Sequence, residues 1–227
     1  MESRELRLAA IMTAPRFELT YSRNWIERAL KAANIPLSVS GGVFYGQCMQ
    51  KMLVQLIEAE CDYAITVDFD SLFTGAQVIK LIREIETRPE IDAICGLQVR
   101  RGKKTMLGTV VGGEDTGNGT KQVAVTNEPI RAETAHFGLT VIDLKKLAAV
   151  PKPWFCAVPD ANGDWENEKV DDDVYFWKKW AEAGNTIYFD PDVRLGHVEE
   201  MVVMHDDNLQ PHHIYPNEWE ALWSSKS

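Results

Sequence analysis

The sequence predicts an α/β fold in which a mostly parallel central sheet is flanked by helices. Strand-like and helix-like segments alternate through the first half of the chain. The helical segments carry apolar residues at the spacing of one buried helix face. A length of 227 residues suits one good-sized domain with a substantial core. Together these observations favour a single unit in which helices cover both faces of the sheet.

The first half contains four predicted strands, at residues 6–14, 37–40, 63–68 and 91–95. Two apolar stripes define the helices between the first three strands: Trp25, Ile26, Ala29, Leu30 and Ala33, then Met49, Met52, Leu53, Leu56 and Ile57. Thr74-Gly75-Ala76-Gln77 has the form of a capping box and begins a third helix, which ends before Pro89.

The second half is richer in short β segments. Residues 105–111 and 121–126 are strand-like, and the polar segment between them is interpreted as a hairpin tip or as a flap over the ligand crevice. A buried strand at 136–142 and a short helix at 143–148 follow. The last predicted helix begins at Asp171, with Val174, Trp177 and Ala181 on its buried stripe, and the last strand spans 186–189.

Composition limits the classes of partner. The formal net charge of -10 disfavours binding of polyanions by the chain as a whole, and the only dense basic cluster is at 100–104. The four cysteines are scattered and predict free thiols, not a zinc or disulfide site. No signal-peptide pattern and no long apolar run is present, so we expect a soluble cytoplasmic protein without a stable membrane anchor.

Asp68 and Asp70 are the most informative residues of the chain. They come at the end of the apolar run 63–67, where the third predicted strand ends. In open α/β sheets these strand ends form the ligand crevice, and two carboxylates there suit a divalent cation. A solvated turn after a strand is the alternative interpretation.

Two further features suggest chemistry. Asp171-Asp172-Asp173 begins the last helix, where the helix dipole alone stabilises acidic residues. Three adjacent carboxylates also repel each other, so a bound cation, or a raised pKa that makes one of them a general base, are functional interpretations. His197 follows the final strand. With the carboxylates, its imidazole suits a borderline metal such as Mn²⁺.

In this order, the segments resemble nucleotide-sugar glycosyltransferases of the GT-A fold, of the Asp-x-Asp-containing, family-2-like kind. The matching segments are Val67-Asp68-Phe69-Asp70-Ser71, His136-Phe137-Gly138, Asp172-Asp173-Val174-Tyr175-Phe176, Ala183-Gly184 with Ile187-Tyr188-Phe189-Asp190, and Gly196-His197. The resemblance implies one GT-A, Rossmann-like catalytic domain at 1–200. Its nucleotide-binding half would be 1–98 and its acceptor half, with a small β-rich part, 99–200. A C-terminal tail would follow at 201–227.

The resemblance also implies an activity and a cofactor. The chain would transfer a sugar from a nucleoside-diphosphate sugar, with a UDP-sugar as the expected donor, to an acceptor hydroxyl. Mn²⁺ or Mg²⁺ would be bound by Asp70 and His197, with Asp68 facing the ribose or a metal-bound water. The metal-bridged diphosphate would then leave without needing a proton.

The same resemblance implies roles for further residues. Asp173 would be the base in an inverting reaction, and Asp172 stands where the family has Glu. Asp171 leaves the register of this pair open by one residue, and a retaining reaction also stays open. Gly138 would let the backbone approach the donor sugar. The base and ribose of the nucleotide would be held by Thr13, Ala14, Pro15 and Arg16.

Other functions remain open at this stage. A haloacid-dehalogenase-like, Mg²⁺-dependent phosphatase also combines an Asp-x-Asp motif with a later acidic cluster, but its motif normally follows the first strand. A non-catalytic nucleotide-sugar-binding module is a third possibility. The acceptor is open between a saccharide, a protein, a lipid-linked molecule and modified DNA. Trp154, Phe155 and Trp165 are interpreted either as stacking surfaces for it or as packing residues.

Overall fold

The computed structural model describes residues 6–14, 18–99, 107–112, 114–115, 121–122, 128–166, 169–206, 208–216, 218–219 and 221. The segments 15–17, 100–106 and 116–120 are outside these described residues. They contain Pro15, Arg16, the basic cluster at 100–104 and most of the predicted hairpin tip. The helices are α1 (Thr20–Ala32), α2 (Tyr45–Glu58), α3 (Gly75–Thr87), α4 (Leu144–Ala148) and α5 (Asp172–Glu182).

The strands, numbered in chain order, include several that have only two residues. They are β1 (Leu8–Ala14), β2 (Leu37–Gly41), β3 (Tyr63–Asp68), β4 (Ser71–Leu72), β5 (Ala93–Leu97), β6 (Thr109–Val110), β7 (Glu114–Asp115), β8 (Lys121–Gln122), β9 (Ile130–Thr134), β10 (Leu139–Asp143), β11 (Ile187–Arg194), β12 (Gly196–His197), β13 (Val202–His205) and β14 (Pro211–Ile214).

Eight of these strands form the central sheet, in the order β2-β1-β3-β10-β5-β11-β9-β6. Strands β1, β2 and β3 are parallel, and β11 is parallel to β5. Between β3 and β5 lies β10, which is antiparallel to both. The expected α/β fold with a mixed central sheet flanked by helices is confirmed, although the antiparallel pairs of β10, β9 and β6 make the sheet less parallel than expected. The alternation of elements did not indicate that β10 would separate β3 from β5.

Helices cover both faces of the sheet. On one face, α1 and α3 contribute buried residues such as Ile26, Leu30 and Leu81. On the other face, α2, α4 and α5 contribute a separate cluster that includes Leu53 and Trp177. Each helix has an apolar stripe against the sheet and polar residues on the outside, as the helical spacing predicted.

Helix α5 differs in detail from its prediction. Its buried residues are Phe176, Trp177 and Trp180, whereas Ala181 is exposed and Val174 is half-buried. The three large aromatic side chains fill the space above the sheet, and Trp177 Nε1 donates a hydrogen bond to Ala135 O at 2.6 Å. The buried stripe therefore follows the aromatic residues, which bury the most apolar area.

The strand that follows β11 pairs with the segment that follows β3. Strand β12 pairs with β4 so that His197 is opposite Ser71. Val198 N also donates to Asp70 O at 2.9 Å. This short antiparallel pair holds His197 beside the Asp-x-Asp segment, although the two are far apart in the sequence. A further hairpin, β13 with β14, follows and carries exposed His205, His212 and His213.

The described helices are 5 to 14 residues long. None of them is long and apolar enough to cross a membrane.

Candidate functional site

The candidate site lies at the carboxyl ends of β1, β3 and β5. In the parallel pair of β1 and β3, Thr13 is in register with Asp68. Gln98 follows the end of β5. Parallel strands that end together leave a crevice at that edge, which is the common ligand position in such sheets. The topology thus places the Asp-x-Asp segment where the sequence predicted it.

The loop after Asp68 is fixed by three hydrogen bonds from two other elements. From α1, Ser22 Oγ donates to Phe69 O at 2.6 Å, and Trp25 Nε1 donates to Phe73 O at 2.6 Å. From the end of β5, Gln98 Nε2 donates to Ser71 Oγ at 2.9 Å. Both ends of the loop are also held by strands. Such anchoring keeps the carboxylates of the loop in one position, which a preorganised site requires.

Asp70 and His197 are paired at this site. Asp70 Oδ2 lies 3.3 Å from His197 Nε2, and the two side chains are only 5% and 11% exposed. The other ring nitrogen, Nδ1, is 2.8 Å from Val99 O. Because a carbonyl oxygen can only accept, Nδ1 carries the hydrogen and donates it. Backbone carbonyls commonly orient metal-binding histidines in this way.

His136 and Gly138 lie beneath this pair in a buried polar cluster. Gly138 N donates to His136 Nδ1 at 3.0 Å, so His136 Nε2 carries the hydrogen and donates to Gly96 O at 2.8 Å. Burial lowers the pKa of His136 to about 4, and the nearby His197 also lowers it. His136 is therefore neutral near pH 7. It fixes the backbone that begins β10.

Gly138 is required by the packing of this cluster. A Cβ at Gly138 would lie 2.5 Å from Gln98 Oε1, 2.7 Å from Ser71 Oγ and 3.0 Å from His136 Nδ1. The space of the missing side chain is thus filled by the protein itself. Its approach to a donor sugar, which the resemblance implies, stays a prediction.

The acidic triplet begins α5, and its three carboxylates differ in surroundings. Asp171 is the N-cap residue and pairs with Lys169 Nζ at 3.1 Å. Asp173 Oδ1 accepts a hydrogen bond from Val174 N at 2.8 Å. Burial raises the pKa of Asp173, and the charges of Asp171 and Asp172 raise it further, against the lowering effect of the Val174 hydrogen bond. A carboxylate with a raised pKa suits a general base.

The start of α2 packs directly against the start of α5. A Cβ on Gly46 would lie 2.6 Å from Phe155 Cβ and 2.8 Å from Asp172 Oδ2. Only glycine permits this approach. Tyr45, the preceding residue, is half-buried. Burial raises the pKa of its phenol well above the ordinary value, and the charges of Asp68, Asp173 and Asp172 add to the shift.

Tyr45 was not singled out from the sequence, and neither were Gly46 and Gln98. A glycine inside an apolar helical pattern is a signal of close packing, and Gly46 offered it. Nothing comparable marks Tyr45 or Gln98. Their importance follows from tertiary packing at the edge of the sheet.

An open pocket of about 310 Å³ occupies this edge. The residues that line it come from six segments and are Thr13, Tyr45, Asp68, Phe69, Asp70, Gln98, Leu107 and His197. No lysine or arginine is among these described lining residues. Among the described lining residues, the acidic side chains are Asp68 and Asp70, and a cation bound by them would attract a diphosphate.

The structure thus brings several of the sequence-predicted residues together. Thr13, Asp68, Asp70 and His197 share the pocket, and Ala14 ends β1 beside it without lining it. Pro15 and Arg16 lie outside the described residues. Within the described part of the chain, no three metal-ligating side chains converge. A cation held by Asp70 and His197 would need oxygens from a bound ligand.

The aromatic residues considered for acceptor stacking divide into two groups. Trp154 is 1% exposed and Phe155 is 8% exposed, so both belong to the core. Trp165 is 54% exposed. Of the three, Trp165 alone has the exposure that stacking on a ligand requires.

Comparisons with known proteins bear on the fold. No protein-family model matches the sequence, and no curated protein sequence matches it. Among solved structures, A197 from STIV is similar with a TM-score of 0.61 and 13% identity, over 92% of this chain and 94% of that one. The mannosyltransferase PcManGT from Pyrobaculum calidifontis, in complex with GDP-Man and Mn²⁺, gives 0.51 and 11% identity over 87% of this chain.

A third structure, GalNAc-T7 with UDP, GalNAc and Mn²⁺, gives a TM-score of 0.46 and 13% identity over 88% of this chain. A TM-score this low does not establish a shared fold. The chain spans 59% of the mannosyltransferase and 45% of GalNAc-T7. At these identities the likeness concerns the fold, which is GT-A-like: a large mixed sheet flanked by helices.

Proposed function

We propose that this GT-A-like chain is a metal-dependent glycosyltransferase that moves a sugar from a nucleoside-diphosphate sugar to an acceptor hydroxyl. The paired Asp70 and His197 at the end of β3 carry this proposal. The donor set is one carboxylate oxygen and one imidazole nitrogen, which suits Mn²⁺ and also accepts Mg²⁺. The solved mannosyltransferase of similar fold contains GDP-Man and Mn²⁺, which supports the choice of ligands.

The geometry of the pair favours a shared cation. Since His197 donates from Nδ1 to Val99 O, Nε2 is the ring nitrogen that faces Asp70 Oδ2, 3.3 Å away. Two electron-rich atoms at this distance repel unless a proton or a metal ion lies between them. Low exposure of both side chains strengthens that requirement, because water screens them little. We assign the position to a divalent cation.

The charges of the pocket indicate what accompanies the cation. A divalent ion bound at Asp70 would attract a diphosphate and accept its oxygens as further ligands. When bound, this ion stabilises the charge that develops on a departing nucleoside diphosphate. Asp68, next to Thr13 in register, would then face the nucleotide ribose or a metal-bound water.

Asp173 is proposed as the base. Its raised pKa comes first from burial, and it begins a helix that packs against the pocket through Tyr45 and Gly46. The carboxylate would accept the proton of the acceptor hydroxyl as that oxygen attacks the sugar. Asp172, beside Gly46, would hold α5 in position. This arrangement predicts inversion at the sugar carbon, with a UDP-sugar as the first donor to test.

A nucleotide-release assay tests the proposal. Purified chain is incubated with UDP- and GDP-sugars and a panel of saccharide, protein and modified-DNA acceptors, with and without Mn²⁺. We expect release of nucleoside diphosphate with at least one donor in Mn²⁺, and loss of release in Asp70→Ala.

The control variant is His212→Ala, which alters an exposed histidine of the β13–β14 hairpin and should release nucleotide at the wild-type rate. Metal-independent release by Asp70→Ala would contradict the assigned site. Formation of an aspartyl-phosphate at Asp68, with no nucleotide sugar consumed, would favour the phosphatase. Binding of a nucleotide sugar without turnover for any acceptor would favour a binding module.

A further inference from the structure

Tyr45 occupies the point where the donor pocket meets the acidic end of α5. It is the first residue of α2, it lines the pocket with Asp68 and Asp70, and the next residue contacts Asp172. The charges of Asp68 and of Asp173 both act on its phenol.

The ring of Tyr45 is held by its neighbours. Its centroid is 6.1 Å from that of Phe155, edge to face at 86°, and 6.3 Å from that of Phe137. Phe137 and Phe155 belong to the buried aromatic cluster under α5. Such contacts fix the ring plane and therefore the direction of the hydroxyl.

The hydroxyl itself makes no hydrogen bond to another described residue. A fixed tyrosine whose ring is packed and whose hydroxyl is unsatisfied by protein usually bonds water or a ligand. The phenol keeps its proton at neutral pH, because burial and the neighbouring carboxylates raise its pKa. It therefore acts as a hydrogen-bond donor and not as a base.

We propose that Tyr45 is a specificity residue whose hydroxyl donates a hydrogen bond to a hydroxyl of the transferred sugar. This inference rests on the proposed function. In that function the leaving phosphate is at Asp70 and His197 and the base is Asp173, so the sugar must lie between them. Tyr45 lines the pocket with Asp70 and His197, and the adjacent Gly46 packs against Asp172 at the start of α5. A nucleotide base or the ribose would lie instead beside Thr13, at the end of β1.

The test compares binding of a nucleotide sugar with binding of its free nucleotide. Calorimetry in Mn²⁺ uses UDP-glucose, UDP-galactose and GDP-mannose, each paired with UDP or GDP, and the variant Tyr45→Phe. Loss of one hydrogen bond should weaken binding of the wild-type donor about three- to ten-fold and leave the affinity for the free nucleotide unchanged. Unchanged nucleotide affinity also shows that the variant is folded.

Tyr63→Phe is the matched control, because Tyr63 lies at the amino end of β3, whereas the pocket is at the carboxyl end. It should bind both ligands as the wild type does. Monodeoxy analogues of the donor sugar provide a second measurement. One of these analogues should bind the wild-type chain more weakly than the unmodified donor, by the same factor as the Tyr45→Phe substitution. Its affinity for Tyr45→Phe should equal that of the unmodified donor for this variant, because both changes remove the same interaction.

Three results would overturn the inference in different ways. Equal binding of the nucleotide sugar by Tyr45→Phe and the wild type would refute the contact and leave the proposed function intact. Equal weakening of nucleotide and nucleotide sugar would place the contact on the nucleotide. Failure of the wild-type chain to bind any of the nucleotide sugars would refute the proposed function, and the inference with it.

Discussion

Replacing Gly138 by alanine tests whether the polar cluster beneath the site is packed as described. The new Cβ would lie within 3.0 Å of three polar atoms, in Gln98, Ser71 and His136. Gln98 is 2% exposed and hydrogen-bonded to Ser71, so it has no free space to move into. Overpacking of this kind costs about 1–3 kcal/mol, and a broken buried hydrogen bond adds about 1 kcal/mol.

The free energy of unfolding should therefore fall by about 2–4 kcal/mol, which for a chain of this size lowers Tm by roughly 4–16 °C. Thermal and urea unfolding followed by circular dichroism measure both values. Gly41→Ala is the matched control: its Cβ would meet only Ala14 O, at 3.9 Å. It should change stability little or raise it by about 0.4–1 kcal/mol, because alanine restricts the unfolded chain.

A second substitution sharpens this experiment. In Gly138→Ala with Gln98→Ala, the atom nearest to the new Cβ is removed, so the two changes should cost less together than the sum of their separate effects. A Gly138→Ala variant as stable as the wild type would refute the packing argument. Strict additivity of the two changes would also contradict it.

Three further outcomes are expected. Asp173→Asn should reduce transfer about 10²–10⁴-fold with unchanged donor affinity, measured by nucleotide release and calorimetry. Because burial raises the pKa of Asp173, the charged form is disfavoured in the folded chain. The Asp173→Asn variant should thus be at least as stable as the wild type at pH 7, and the difference in free energy of unfolding should shrink as the pH falls through that pKa. Lower stability of the variant at pH 7 would contradict this. Gly46→Ala should displace Asp172 and reduce transfer, and wild-type kinetics would refute the close packing of α2 on α5. Thr74→Ala removes a capping box and should cost about 1 kcal/mol without altering activity; an unchanged Tm would refute the cap's contribution.

Local sequence signals accounted for much of the fold. The capping box at Thr74 and Gln77 is present, with Gln77 N donating to Thr74 Oγ1 at 3.3 Å and Thr74 N donating to Gln77 Oε1 at 2.8 Å. The apolar stripe of α2 is buried at Met49 and Leu53, as its spacing predicted. These features depend on residues close together in sequence, where periodicity and capping chemistry act directly.

The position of β10 depends on longer-range contacts. The strand at 136–142 was expected, but its insertion between β3 and β5 was not, because a buried apolar strand has the same composition in either direction. The aromatic residues of α5 show the same limit. Helical spacing identified Trp177, but the choice of Phe176 and Trp180 over Ala181 follows from the volume available above the sheet.

Two parts of the site differed in how far the sequence could indicate them. Asp70 and His197 were expected to act together, and the structure places them 3.3 Å apart through the pairing of β4 with β12. Their proposed role as metal ligands is still to be tested. Tyr45 could not be identified from the sequence, because tertiary packing places it in the pocket, where the carboxylates of β3 and α5 act on its phenol.

Binding of a nucleoside diphosphate with and without Mn²⁺ tests the central claim, a cation site at Asp70 and His197, most directly. Calorimetry would compare the wild type with Asp70→Asn, His197→Ala and the control His212→Ala. The account predicts that Mn²⁺ strengthens binding of UDP or GDP in the wild type and the control, and that both site variants lose this strengthening. Mn²⁺-dependent binding of equal strength in all four proteins would contradict it.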